Sequence, residues 1–357
     1  MKYRVLAINP GSTSTKISVF DDNTVVFMKT LRHDPAELDK VGSILEQDKF
    51  RKDMVLVAMK ENNVEPSSLE AVVGRGGLVR PLEGGTYIVN DKMLADLKDP
   101  SIWGRIHASN LGAFIGKAIA DDLNIPCYIV DPVAVDEFED IARVSGIPEI
   151  TRKSLFHALN TRYTGRRLAE KLGMKYEDCN LIGAHLGGGI SVVAIKKGRC
   201  VDLNNALLGM GPFSPQRSGA LPIGDLLELA YSGKYTKKDL LSYLSKNAGL
   251  LAYLDSDDGT AITNRIKGGD QKAKFIFDAM IYQIAKEIGA CATVLCGKVN
   301  GIFVTGGLAY GDYLCPELTN RVSFIAPVHI FPGEGEMEAL TDGTVRVLKG
   351  LEQAKEY

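Results

Sequence analysis

The segment Val5–Lys16, with the sequence VLAINPGSTSTK, is an apolar run that leads into a turn rich in hydroxyl side chains. Val5–Ile8 is short and continuously apolar, which is typical of a strand buried on both faces. Turn-forming residues occupy Asn9–Lys16, and further apolar runs follow at Ile17–Phe20 and Val25–Met28. This order predicts a strand, a polar turn, a strand, a second turn and a third strand.

The polar turn lacks the GxxxxGK[ST] spacing of a Walker-type phosphate loop, which occurs nowhere in the chain. It offers instead backbone N–H groups, several hydroxyls and the cation of Lys16. Such groups can hold phosphate oxygens without a helix. The sequence therefore predicts a phosphate-binding hairpin turn, with an ordinary polar turn as the alternative.

A similar pattern returns about half the chain later. The apolar run Leu181–Ala184 leads into His185–Ser191, which contains three successive glycines, and Val192–Ile195 follows. This repeat predicts a duplicated domain with one phosphate hairpin in each half. A third glycine patch, Gly301–Leu308, follows a long helix that we expect over residues 273–288, whose apolar stripe indicates core.

The composition narrows the class of protein. The chain has 357 residues, enough for two domains, and a net charge of -2. The charge is spread without a basic block, which argues against binding nucleic acid or an anionic membrane. Apolar runs fall short of the ~20 residues of a membrane span, and no signal-peptide cleavage site is expected at the start. The six cysteines lack metal-site spacing and indicate reduced thiols in a cytoplasmic protein.

The three glycine patches, in this order, resemble the superfamily of acetate kinases, sugar kinases, Hsp70 and actin. Within it the chain resembles the acetate and butyrate kinase family over essentially its whole length. The segments that carry this resemblance are Asn9–Lys16, Ser154–His157, His185–Gly189 and Gln216–Gly219.

The resemblance implies an α/β fold of the duplicated actin-like ATPase (ribonuclease H-like) type, with two domains around a nucleotide cleft. We expect an N-terminal domain at residues 1–155, rejoined by 337–357, and a C-terminal nucleotide-binding domain at 156–336. The resemblance also implies a homodimer or a higher homo-oligomer.

The resemblance implies transfer of the ATP γ-phosphoryl group to the carboxylate of butyrate or a similar short or branched-chain acid, with Mg²⁺, giving an acyl phosphate and ADP. The catalytic residues that it implies are Arg75, Arg217, His157 and Asp131. The metal-side carboxylates are Asp131 and Glu336, with Glu334 as the fallback. The residues expected to bind the acid are Arg75, Gly76, Gly77, His107 and Phe156. Those expected to bind ATP or ADP are Asn9, Ser12, Ser14, Lys16, His185, Gly187, Gly188, Gly189, Thr305, Gly306 and Gly307.

Two positions depart from the family pattern. Gly188 stands where an Asn is usual, so one side-chain contact to the nucleotide must be absent or replaced. Gly76 and Gly77 replace bulky aliphatic residues of acetate kinases, which predicts a wider acid pocket and favours butyrate over acetate.

Other interpretations remain open. The chain could act on acetate or propionate, or it could be an actin-like nucleotide switch without acyl chemistry. Among single residues, Asp131 could begin a turn, His157 and His185 could be core histidines, and Glu336 could be a solvated loop charge.

Overall fold

The structure, a computed structural model, describes residues 2–104 and 106–357. The chain divides into two compact units. Unit 1 runs to Val135 and resumes at Gly335–Tyr357, and unit 2 is Asp136–Glu334.

Unit 1 contains a mixed sheet, in which six strands are described, with the spatial order β3-β2-β1-β4-β6-β5. The first three strands pair antiparallel, β4 lies parallel to β1, and β6 lies parallel to β4. The strands are β1 Arg4–Pro10, β2 Ser14–Asp21, β3 Thr24–Arg32, β4 Ala71–Arg75, β5 Thr86–Ile88 and β6 Cys127–Val130. The helices are α1 Pro35–Val41, α2 Asp48–Glu61, α3 Asp91–Lys98, α4 Leu111–Leu123 and, at the end of the chain, α13 Glu336–Leu348.

Unit 2 repeats this order in a sheet with five described strands, β11-β10-β7-β8-β9. Its strands are β7 Asn180–Leu186, β8 Ile190–Lys196, β9 Arg199–Leu203, β10 Gly301–Gly306 and β11 Val328–Pro332. Its helices are α5 Asp140–Arg143, α6 Ala158–Lys171, α7 Ile223–Tyr231, α8 Lys237–Lys246, α9 Gly249–Leu254, α10 Gly259–Lys267, α11 Gln271–Val294 and α12 Leu314–Val322. Short 3₁₀ turns occupy Ile44–Gln47, Pro66–Ser68, Ala108–Asn110, Tyr176–Asp178 and Gly307–Tyr310.

The two sheets confirm the predicted duplication. In each unit an antiparallel meander of three strands is followed by a strand that pairs parallel to the first one, as β4 does with β1 and β10 with β7. The apolar run Val5–Ile8 is fully buried in β1, as the sequence predicted. Helix α11 buries one stripe, which includes Met280, Ile284 and Ile288, in the core of unit 2.

The first unit boundary lies after Val135 rather than after residue 155. The intervening segment bonds to β9 of unit 2: Glu139 N–H donates to the carbonyl of Val201, and Arg152 pairs with Asp202 at 2.5 Å. The side chain of Glu137 accepts a hydrogen bond from Cys200 N–H at 2.7 Å. These polar contacts depend on strand pairing far along the chain, which sequence patterns do not reveal.

Glycines let β4 and α4 approach closely, and this contact fixes the end of β4. A Cβ atom on Gly74 would overlap the carbonyl of Gly112. A Cβ on Gly112 would lie 2.7 Å from the backbone nitrogen of Arg75. Main chain therefore packs on main chain at the point where Arg75 leaves the sheet.

We expect Gly112→Ala to lower the free energy of unfolding by about 1–3 kcal/mol, because the added methyl group has no space. The control is Gly289→Ala in α11, where a Cβ meets nothing within 4 Å. That change should stabilise the protein by about 0.5–1 kcal/mol through helix propensity. Urea denaturation of both variants checks this, and equal effects of one sign would contradict the close contact.

Candidate active site

The N-terminal turn joins β1 to β2, and its exposed tip presents unpaired amides. Gly11 N–H donates to the carbonyl of Ser14 at 2.7 Å and closes the turn. Ser12 and Thr13 are exposed, and their N–H groups have no partner among the described residues. Lys16 lies exposed on β2. These groups can accept an anion through backbone donors and a nearby cation.

Arg51 on α2 lies behind this turn and was missed by the sequence analysis. It is 1% exposed and donates to the carbonyl oxygens of Gly11, Ser12 and Ser14. The signal was present in the sequence. Arg51 stands one helical turn before Val55, on the stripe of α2 that becomes buried, and an arginine on such a stripe needs a buried partner.

Arg75, Asn9 and Glu336 form one cluster in unit 1. Arg75 ends β4, Asn9 lies near the end of β1, and Glu336 is the first residue of α13. Glu336 forms an ion pair with Arg75 through Oε1 and accepts a hydrogen bond from Asn9 Nδ2 at 2.6 Å through Oε2. Its side chain is 23% exposed, so it is not the solvated loop charge of the alternative interpretation. The positive end of the helix dipole also favours a carboxylate at this position.

Asp131 directly follows β6 and is buried, with an exposure of 3%. Its Oδ1 accepts a hydrogen bond from Gly85 N–H at 2.7 Å, and its backbone has a positive φ of 39°. The described residues contain no group of three or more His, Cys, Asp or Glu side chains placed to hold a metal.

Gly76 and Gly77 do not open space for a larger acid, which corrects the widened-pocket expectation. A Cβ on Gly76 would lie 2.6 Å from the Cβ of Pro132. A Cβ on Gly77 would lie 2.6 Å from the Cα of Asn110. Both glycines serve close packing within unit 1, and larger residues there would collide with the scaffold rather than line a pocket.

His107 caps the 3₁₀ turn at Ala108–Asn110. Its Nδ1 accepts a hydrogen bond from Ser109 N–H at 3.2 Å and lies 2.8 Å from Ser109 Oγ. With Nδ1 as the acceptor of this bond, the donor nitrogen of the ring is Nε2. The ring can therefore act as a hydrogen-bond donor through Nε2.

In unit 2 the rings of His157 and His185 stack, with centroids 3.9 Å apart and an interplanar angle of 14°. His157 Nδ1 lies 2.9 Å from the hydroxyl of the buried Ser191. His185 Nδ1 lies 2.7 Å from Asn160 Oδ1, and the Asn160 amide also donates to Thr305 Oγ1 at 3.4 Å. The two imidazoles are thus held in fixed orientations, and Asn160 connects the end of β7 with the end of β10.

The glycine loop at residues 187–189 is closed by the segment at residues 214–217. Ser214 Oγ donates to the carbonyl of Gly188 at 2.6 Å. A Cβ on Gly188 would lie 3.6 Å from Gln216 Oε1, so the amide of Gln216 lies beside the position of the missing Asn side chain. A Cβ on Gly189 would overlap the guanidinium of Arg217, which donates to the carbonyl of Ala206. Glycine at 189 is therefore required for Arg217 to lie against the loop.

A cavity of about 660 Å³ opens beside this loop in unit 2, within the size range of ligand pockets. Gly306, with a φ of 92°, lets β10 pass next to the main chain of Leu186. Lining residues of the cavity include Gly187, Gly188, Gln216, Asp257, Asn264, Lys267, Gly307, Asp312 and Glu334.

Phe156, which the sequence analysis expected to bind the acid, is buried with an exposure of 3%. Its side chain therefore offers little surface to an acid.

The structure thus gathers the predicted residues into two sets, one in each unit. Asn9, Arg75 and Glu336 are in direct contact in unit 1. In unit 2, His185 stacks on His157, and Asn160 bonds to both His185 and Thr305. The choice between Glu336 and Glu334 as the metal-side carboxylate stays a prediction.

Comparison with known proteins identifies the family. The chain is 52% identical over 355 residues to butyrate kinase 1 of Clostridium acetobutylicum, covering 99% of each chain. The chain belongs to the acetokinase family. The acetokinase family model matches residues 148–321, and butyrate kinase 2 of the same organism is 51% identical over all 357 residues, covering 100% of each chain.

Solved structures of the family agree with the fold. The crystal structure of Porphyromonas gingivalis acetate kinase is similar to this acetokinase-family chain with a TM-score of 0.78, at 20% identity, covering 96% of this chain and 99% of that one. At that identity the likeness shows the fold alone. It confirms the predicted actin-like α/β architecture. None of the helices in the described part of the chain has the length and apolar character needed to span a bilayer.

Asn160 offers a test of the histidine arrangement. We expect Asn160→Leu to lower kcat by about tenfold or more, because His185 loses the acceptor that fixes its ring. The matched control is Asn264→Leu, a cavity-lining amide outside that hydrogen-bond network, which should raise the KM for nucleotide more than it lowers kcat. Steady-state kinetics with thermal denaturation of both variants checks this, and equal kcat values would contradict it.

Proposed function

We propose that this chain is a butyrate kinase that transfers the γ-phosphoryl group of ATP directly and reversibly to butyrate, giving butyryl phosphate and ADP. The observation that carries the proposal is the 52% identity, over nearly the whole of both chains, to a protein named butyrate kinase 1. The side chains of both units have the charges that this reaction needs.

The reaction needs cations and positioning rather than a general base. A carboxylic acid with a pKa near those of Asp and Glu is already ionised at pH 7, so no proton has to be removed from the nucleophile. The difficulty is to bring an anion to a polyanionic phosphoryl group and to stabilise the charge on its equatorial oxygens. Arginines and neutral imidazole donors suit this task.

In unit 1, Arg75 is the proposed clamp for the acid. Its guanidinium already holds a carboxylate, that of Glu336, which supports its fitness for an incoming acid with the same charge and shape. His107, with its proton on Nε2, would act as a further donor. The N-terminal turn, with Asn9, Ser12, Ser14 and Lys16, would take phosphate oxygens.

Carboxylates are the ligands that Mg²⁺ prefers, and it retains several waters. The carboxylates of Asp131 and Glu336 have the chemistry to hold it. When bound, Mg²⁺ neutralises phosphate charge. Glu336 would then have to share its oxygens between the metal and Arg75.

In unit 2, the cavity beside the second glycine loop is the proposed nucleotide site. Gly187, Gly188 and Gly307 line it and would let the nucleotide approach the main chain closely. His157 would donate a hydrogen bond to the phosphoryl group in transfer, oriented by Ser191, and Arg217 would stabilise its charge.

The same reaction on acetate or propionate is the second candidate. It is considered because Gly76 and Gly77 pack against the scaffold, so they supply no argument for a longer acid. The two candidates share one mechanism and differ only in the acid.

The test is an acyl phosphate assay with MgATP, in which hydroxylamine traps the product, across acids from acetate to valerate. We expect the largest kcat/KM with butyrate or its branched isomer. The differences in kcat/KM between neighbouring acids should be small, because each buried methylene contributes about 0.8 kcal/mol. A maximum at acetate would show that acetate is the preferred substrate, and the proposed mechanism would be unaffected. No acyl phosphate from any acid would contradict the kinase function.

Arg75 gives a sharper test of the clamp. We expect Arg75→Gln to raise the KM for butyrate about tenfold or more and to lower kcat by about 10²–10³, because a charged donor near the reacting groups is lost. The matched control is Arg80→Gln in the same unit, whose side chain is 58% exposed and pairs with Asp96. Kinetic constants of the parent protein in Arg75→Gln would refute the assignment.

A homo-oligomer, which we propose to be a dimer, is supported by α7. None of the residues of this helix is buried. Its large apolar side chains Ile223, Leu227 and Tyr231 are 76%, 52% and 87% exposed. A second copy of the chain would cover this apolar surface. Light scattering should give twice the chain mass, and Leu227→Glu should shift it toward the monomer; a monomeric parent would refute the dimer.

We also propose a cytoplasmic location. It is supported by the six cysteines, all of which are free thiols, as is usual in a reducing compartment.

A further inference from the structure

Arg51 is a buried cation that makes six hydrogen bonds, all to uncharged oxygen atoms. Nη1 donates to the carbonyls of Gly11 and Ser14 at 2.8 and 3.0 Å, and Nη2 donates to the carbonyl of Ser12 at 2.9 Å. Nη1 also donates to Thr15 Oγ1 at 3.0 Å. Gln47 Oε1 accepts from Nε and Nη2 at 3.2 and 2.8 Å.

The positive charge of Arg51 has no carboxylate partner among the described residues. Burial lowers the pKa of its guanidinium, which nevertheless stays protonated at neutral pH. Burial, and then the charge of Arg51, lowers the pKa of the neighbouring His33 to about 4, so His33 is uncharged at pH 7. A buried charge without a counter-charge is costly for the fold, and an apolar side chain would pack there at lower cost.

The same hydrogen bonds orient the amides of the turn. In a trans peptide the C=O and N–H groups point in opposite directions, and the described chain has no cis peptide. Because the carbonyls of Gly11 and Ser12 point at Arg51, the N–H groups of Ser12 and Thr13 point away from it. These are the two amides of the exposed tip that lack a partner.

We propose that Arg51 is a positioning residue for phosphate binding, which holds the turn at residues 11–15 open to an anion and supplies the positive charge behind it. The inference rests on the proposed function of this turn as a phosphate site. The counter-charge missing from the protein is then supplied by the nucleotide phosphates, which bind on the far side of the turn without touching Arg51.

Gln47→Glu is the most informative variant. It places a carboxylate against Arg51 while retaining the oxygen that accepts its hydrogen bonds, so the guanidinium stays in position and its charge is compensated. We expect the variant to be at least as stable to heat as the parent. We expect its affinity for MgADP, measured by calorimetry, to fall about tenfold or more, with a matching rise in the KM for MgATP.

The opposite directions of these two effects exclude a purely structural role, in which stability and affinity would change together. The matched control is Gln353→Glu, which adds the same charge at an exposed position of unit 1 and should bind MgADP as the parent does. An affinity of Gln47→Glu within twofold of the parent would overturn the proposal.

Two variants of Arg51 itself give an independent comparison. Arg51→Lys keeps the charge and loses the forked geometry, whereas Arg51→Gln loses the charge. We expect Arg51→Lys to retain the greater affinity for MgADP whichever of the two is more stable, and the KM for butyrate to change by less than twofold in both. Equal affinities in the two folded variants would overturn the electrostatic part of the proposal.

Failure of the proposed function has a different signature. A parent that binds MgADP and forms no acyl phosphate would refute the kinase, and the binding comparison would still decide the role of Arg51. If the protein is an active kinase and Gln47→Glu leaves its nucleotide affinity unchanged, the proposed role of Arg51 is refuted and the proposed function stands.

Discussion

The hydrogen bonds from Arg51 to the carbonyls of Gly11, Ser12 and Ser14 are the interaction on which the N-terminal turn depends. A short turn between two strands has few internal bonds, and its amides can point either way. A fork of N–H donors on one side fixes their direction, because each carbonyl turned inward sends the next amide outward. In the proposed phosphate site, the outward amides are thus ordered before any ligand arrives, which reduces the cost of ordering the turn upon binding.

A second constraint is the close approach of main chains at glycines. Gly74 and Gly112 bring α4 onto β4, and Gly189 leaves room for Arg217. In both units an arginine is thus set at the edge of a closely packed backbone, where its position is limited by contacts on several sides. For a reaction between two anions, such fixed cations matter more than a proton acceptor.

The duplicated meanders were predictable because buried strands have short apolar runs, and because the turns that follow Val5–Ile8 and Leu181–Ala184 contain glycines. The unit boundary was not predictable from the sequence, since it depends on which strand the segment 136–155 contacts. Composition and spacing also could not show that Gly76 and Gly77 pack against Pro132 and Asn110, which only the three-dimensional contact reveals.

Within the site, sequence motifs supplied residue types and the fold supplied their partners. The pairing of Arg75 with Glu336 joins positions 261 residues apart, and no local pattern predicts it. The sequence signal for Arg51 was weaker: it is a charged residue on the apolar stripe of a helix. Its role becomes clear only from the structure, where the turn at residues 11–15 lies against Arg51.

The central claim is that a carboxylate oxygen of the acid is the nucleophile that attacks phosphorus. The most direct measurement uses butyrate labelled with oxygen-18 in its carboxylate, MgATP and the parent protein, followed by hydroxylamine and mass spectrometry of the released phosphate. Attack by the carboxylate makes the bridging oxygen of the acyl phosphate a labelled one, and hydroxylamine then releases it with phosphorus. The account predicts one labelled oxygen in each phosphate so released, and unlabelled phosphate would contradict it.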